Sequence, residues 1–232
     1  MPTTSLSTRN PRWRRVFFAT VVLILFFSIV GRAIETSSQS IRQPAPSQQR
    51  FMERLVAAAV ERTHHIVSYD PAYVRIPYPG GDVPASTGVC TDEIIRAYRA
   101  VGIDLQKEVH EDMANHFAAY PRKWTSSVRE TSTATDSNID HRRVPNLMVF
   151  FARQGQALPL SADARDYSPG DLVTWNLAGG ITHIGIVVDK KSPESGRYFI
   201  VHNIGQGPQM EDVLFNWKII GHYRYWGESP RH

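Results

Sequence analysis

One cysteine, Cys90, occurs in 232 residues. A single thiol excludes a disulfide framework and a multi-cysteine zinc site. Acidic residues are missing altogether from residues 1–33, which hold Arg9, Arg12, Arg14, Arg15 and Arg32. The other 199 residues carry 21 bases against 22 acids, so the net charge of +4 belongs to the first segment. A basic nucleic-acid-binding surface is thereby excluded, and no nucleic-acid partner is expected. Glycine and proline are modest at 15 each, and charged residues make up only 21%. That balance excludes collagen-like, coiled-coil and disordered chains. The strongest apolar run, Val16–Gly31, has 16 residues, short of the roughly 20 that a membrane span wants.

What is present is enough for one self-stabilising domain, with hydrophobic residues at 42%. Arg12–Arg15 followed by the uncharged run reads as an export signal or an uncleaved anchor. Gly31 and Ala33 put small residues at the −3 and −1 positions of a cut after Ala33. No cysteine lies beside the run, which excludes a lipoprotein anchor. The rest of the chain is expected outside the cytoplasm, in a periplasm or on the outer face of an inner membrane. It would touch the membrane only through residues 1–33. Residues 34–50, rich in Ser, Gln and Pro, read as a flexible tether, and 51–228 as the domain.

Helical spacing predicts a first helix from Phe51 to about Val67. Breakers (Pro71, Pro77, Pro79, Gly80-Gly81, Pro84) make residues 69–87 an ordered loop. A second helix starts just after Cys90, with Thr91 as its N-cap and Gly102 as its end. A third runs from Gln106 to Tyr120, and a fourth from Pro145 to Gln154, separated by a polar loop over 122–141. The period then becomes two: 171–175, 183–189, 197–202 and 219–226 read as strands. Helices first and strands afterwards predict an α+β domain with an antiparallel sheet.

Cys90 reads either as a small buried hydrophobe or as a nucleophile. An unpaired thiol in an exported protein, placed at a helix N-terminus whose N–H groups favour the thiolate, points to the second. A nucleophilic thiol needs a base and a group to orient that base. His183, opening HIGIVVD, and His202, ending YFIVH, can serve if their strands are neighbours. Asn203 is the alternative orienting residue. The cluster Asp136, Asn138, Asp140, His141, Arg142 and Arg143 is either a solvated loop or a wall of the cleft. In the second case Arg142 or Arg143 would bind a substrate carboxylate. The remaining histidines lack metal-ligand spacing, so neither a metal nor another cofactor is expected.

The segments GVCTDEIIRAYRAVGIDL, YSPGDLVTWN, THIGIVVD and FIVHN, in this order, resemble the motif series of the NlpC/p-sixty superfamily of papain-like cysteine peptidases. Residues 51–226, with NIDHRRVPNL, PGDLVTW and VHNIGQGP, are similar to an uncharacterised bacterial family, the domain of unknown function numbered 1287. The resemblance implies a papain-like fold of NlpC type, N-terminal helices on an antiparallel sheet, with an insertion over 106–160. It implies Cys90 as nucleophile, His183 as general base and His202 as its orienting partner. Tyr78, twelve residues before Cys90, would help hold the oxyanion. The implied activity is cleavage of an amide, with peptidoglycan stem peptides as substrate. An acyl or peptide transferase with the same site, and a wall- or partner-binding module, are the alternatives. The resembling peptidases carry Asp-Cys-Ser-Gly where this chain has Val89-Cys90-Thr91-Asp92. Recognition of a free amine would then fall to Asp92.

Overall fold

The computed structural model describes residues 45–122 and 134–227. Helix α1 spans Pro46–Arg62, with proline in its first turn and Gln48 Oε1 accepting from the Ala45 N–H at 3.1 Å. Its buried stripe is Met52, Leu55, Val56 and Ala59. It begins inside the expected tether, so residues 46–50 are helical. Residues 1–44, with the export run, lie outside the described residues. Among those described, no helix is long and apolar enough to cross a membrane.

Strands β1 (Ser68–Tyr69) and β2 (Thr87–Gly88) form a two-residue parallel bridge pairing Tyr69 with Gly88. Helix α2 follows at once, Cys90–Ala100, and every residue through Tyr98 is buried. Its N-cap is Val89, not Thr91. The Asp92 carboxylate reaches back to the Val89 N–H at 2.7 Å, so the residue at N3 supplies the cap. Helix α3 is Leu105–Asn115, capped by the Asp104 side chain, and a short 3-10 turn covers Phe117–Ala119. The expected third helix is thus split near His116. Helix α4 is Val144–Gln154.

Six strands make the main sheet: β3 (Gln156–Ala157), β4 (Leu172–Asn176), β5 (Thr182–Lys191), β6 (Tyr198–Asn203), β7 (Pro208–Glu211) and β8 (Lys218–Arg224). Their order is β3-β8-β4-β5-β6-β7, antiparallel throughout. The α+β architecture with an antiparallel sheet is as the sequence pattern predicts. Strands β3 and β7 have no counterpart in that pattern.

Both faces of the sheet are buried, which is why β4 and β5 read as nearly continuous apolar runs. Leu172, Ile184, Ile186, Val188 and Val201 pack with α1, α2 and α4. Val173, Trp175, Val187 and Ile200 pack on the other face with Tyr167, Val213 and Leu214. The Pro-Gly-Asp turn before β4 is structural: Gly170 takes φ 91°, and buried Asp171 binds His222 at 2.8 Å and Arg224 at 2.7 Å.

Candidate active site

Period two decides which face each site residue joins. His183 is paired with Trp175 across β5 and β4, so both rings share the face opposite the helices, 5.8 Å apart. His202 shares that face with Ile200, and its Nδ1 lies 2.9 Å from His183 Nε2. Trp217 stands edge-on to both imidazoles, at 6.1 and 6.2 Å. Glu211 pairs with Ile200, which makes it the diagonal neighbour of His202 on the same face. Its Oε2 lies 2.9 Å from His202 Nε2. The two histidines and Glu211 form one chain of hydrogen bonds.

Gly185 makes this chain possible. A Cβ there would stand 2.5 Å from Ile200 Cγ2, 3.0 Å from the Val201 carbonyl and 3.2 Å from His202 Cβ. Any side chain would push β6 away and separate the imidazoles. Gly185→Ala is expected to cost about 1–3 kcal/mol and to slow alkylation of Cys90. Thermal melting and iodoacetamide labelling check both.

Cys90 is the first residue of α2 and is 5% exposed. It packs with the helix-side cluster. Burial pushes its thiol up to about 12, against the opposing effect of the N–H groups of Ile184, Thr91 and Cys90 itself. Desolvation therefore outweighs the thiolate-favouring N–H groups of the helix N-terminus. Burial likewise pushes His183 down to about 3, helped by His202. At neutral pH the pair is a thiol and a neutral imidazole. His183 and Ile184 are consecutive and face opposite sides of the sheet: Ile184 packs in the cluster that holds Cys90, and the His183 ring lies beside Trp175. No hydrogen bond joins Cys90 to His183 among the described residues.

A cleft of about 290 Å³ opens onto Cys90, with Thr182 from the start of β5 and Arg142, Val144 and Pro145 from the insertion on its walls. Tyr69 and Tyr73 also line it. Tyr78 does not line it: its hydroxyl faces Glu111 at 3.4 Å and its ring stands against His110. The tyrosine beside the thiol is Tyr69, held there by the pairing of β1 with β2. Burial, with the Cys90 and Asp92 charges, raises its hydroxyl to about 12, so it stays a donor.

Arg142 lines the cleft but its fork is occupied. Nε and one terminal nitrogen hold Asp92 at 2.8 and 3.0 Å, and the other terminal nitrogen holds the Ala72 carbonyl at 3.0 Å. Both side chains are 2% exposed. Asp92 thus serves Arg142 and the helix cap, not a substrate amine, and Arg142 does not await a carboxylate. His141 is buried outside the cleft lining, with an Nδ1 that has no partner among the described residues. Asn203 faces away from His202; its Oδ1 accepts from the Gly205 N–H at 3.1 Å. His202 therefore makes the bond to His183. The acidic cluster is a local lock. Asp136 and Asn138 fasten Tyr73 and the Ile76 N–H, and Asp140 binds His110 at 2.9 Å. Among the described residues no three His, Cys, Asp or Glu side chains converge on a common point.

Residues 56–225 match the family model described as Domain of unknown function (DUF1287). The chain belongs to the DUF1287 family. One relative is the uncharacterized protein YijF of Escherichia coli (strain K12), 54% identical over 157 residues, covering 68% of this chain and 73% of that protein. The DUF1287 match takes in Cys90, His183, His202, Glu211 and Tyr69. Two of these, Glu211 and Tyr69, escaped the sequence reading of this DUF1287 domain. Glu211 was findable from the Gly205-Gln206-Gly207 turn, which folds PQME back on FIVHN and sets Glu211 diagonal to His202. Nothing in the sequence signals the two-residue bridge that delivers Tyr69.

Proposed function

We propose that this DUF1287 domain is a cysteine hydrolase that cleaves an amide bond through a Cys90 thioacyl intermediate, in a papain-like arrangement of NlpC type. The observation that supports it is the placement of Cys90. Cys90 stands at the head of a buried helix and on a cleft wall, with the Ile184 backbone acting on its thiol, and the neighbouring His183 is bonded to His202. A binding module has no need of that hydrogen-bonded pair.

His183 takes the thiol proton as the sulfur attacks the carbonyl carbon. The two groups are not bonded at rest, so the transfer requires substrate binding to bring the His183 side chain to the sulfur. The Cys90 N–H and the protonated Tyr69 hydroxyl donate to the oxyanion. The C–N bond then breaks, and the amine leaves with the proton from His183. Water, deprotonated by His183, cleaves the thioester to a carboxylate and restores the thiol. An amine or hydroxyl acceptor in place of water would make the same site a transferase.

The basic leader and its apolar run place the substrate outside the cytoplasm in this reading. Stem peptides of peptidoglycan are the amide substrate it favours. The full-length chain and Cys90→Ala are incubated with purified wall fragments, and products are read by mass spectrometry. Cys90→Ala is expected to lower cleavage by roughly 10⁴-fold. Identical product profiles would sink the hydrolase reading and favour a binding module.

A further inference from the structure

His202 is bonded at both nitrogens, and what it is bonded to decides its protonation. An ionised carboxylate only accepts hydrogen bonds. Glu211 Oε2, 2.9 Å from His202 Nε2, therefore requires the proton on Nε2. A neutral imidazole has one N–H, so His202 Nδ1 is bare and accepts. The 2.9 Å contact to His183 Nε2 then requires the proton of His183 on Nε2. His183 Nδ1 is left as a lone pair, the form a general base needs.

The groups facing this chain are few. From β5 comes His183, from β7 Glu211, and from β4 and the approach to β8 the uncharged rings of Trp175 and Trp217. Glu211 is the carboxylate in hydrogen-bond contact with either imidazole, and His202 is its imidazole partner among the described residues. It stands on the edge strand, 42% exposed, on the wall of a separate cleft of about 580 Å³ that also holds Thr63 and His65. A carboxylate so exposed adds little to stability.

We propose that Glu211 is a positioning residue of the thiol site, setting the protonation pattern of His202 and His183 and compensating the imidazolium formed when Cys90 gives up its proton. This rests on the reading of Cys90 as a nucleophile. Glu211 acts through His202 and touches no reacting atom.

The test uses the full-length chain, with Cys90 alkylation by iodoacetamide followed across pH and the imidazole tautomers read by ¹⁵N NMR. In the unsubstituted protein His183 carries its proton on Nε2. Glu211→Ala is expected to mix the tautomers of His183 and slow alkylation at pH 7 by roughly tenfold, the scale of one carboxylate acting over two hydrogen bonds. Glu211→Gln can still accept from His202 Nε2–H, so the tautomer persists while the alkylation midpoint moves to higher pH. Melting temperatures stay unchanged in both. His183→Ala is the control. Were it to slow alkylation while Glu211→Ala left rate, midpoint and tautomer untouched, the role of Glu211 would be overturned and the nucleophile reading would stand. If His183→Ala also left alkylation unchanged, both would fall.

Discussion

Arg142→Met is expected to lower unfolding free energy by about 3–5 kcal/mol, the usual cost of leaving one charge of a buried pair without its partner. Asp92 would keep a carboxylate 2% exposed, with only the Val89 N–H left of the contacts described above. The effect spreads because Arg142 ties three segments together. Its fork joins α2 to the loop carrying Ala72, and its own carbonyl accepts from Thr91 Oγ1 at 3.2 Å. At a few degrees per kcal/mol for a domain of this size, the melting temperature should fall by roughly 10 °C. The double variant Arg142→Met with Asp92→Leu should recover part of the loss, since no charge is then stranded. Arg165→Met, at an exposed ion pair with Asp163, is the control and should leave the melt unmoved. Equal melting temperatures for Arg142→Met and the unsubstituted chain would show that the pair does not organise the cleft.

The same pair shows where sequence reading stops. Arg142 and Asp92 are fifty positions apart, and nothing local distinguishes an arginine that meets a substrate from one that meets a buried carboxylate. Local chemistry was legible. The amphipathic pattern after Cys90 located α2, and β-branched runs located β4, β5, β6 and β8. The helix cap shifted by two residues because Asp92, not Thr91, reaches the free N–H. Strand β7 was hidden because PQME begins with proline and carries Gln and Glu, which suit an edge and not a core strand. With β7 went Glu211. The family resemblance implies Tyr78, but the β1–β2 pairing is a spatial fact that puts Tyr69 at the cleft. The His183–His202 contact was legible as a condition, that their strands be neighbours, and β5 and β6 are.

Acid should destabilise the domain steeply, beginning near pH 6.5. Burial holds His183 and His141 at about 3, well below the ordinary imidazole value, and lowers His202 despite Glu211. Unfolded, each histidine binds a proton below about 6.5; folded, His141 and His183 do not until about 3. Between those limits the unfolded chain holds more protons, so stability is full above pH 6.5 and is lost as pH falls. The slope is about 1.4 kcal/mol per pH unit for each histidine. Buried Glu93, Glu108 and Asp140 work in the opposite direction, because burial raises their carboxyls. Their uptake of protons offsets part of the histidine contribution as pH falls. Urea unfolding at pH 7.5 and 5.5 should differ by about 2–3 kcal/mol, counting His141 and His183 over one unit each. His141→Leu removes one share of this, and it also removes a buried Nδ1 that has no partner among the described residues. That variant should match or exceed the unsubstituted chain at pH 7.5 and gain on it at pH 5.5. Parallel losses in the two proteins would contradict the buried neutral histidine.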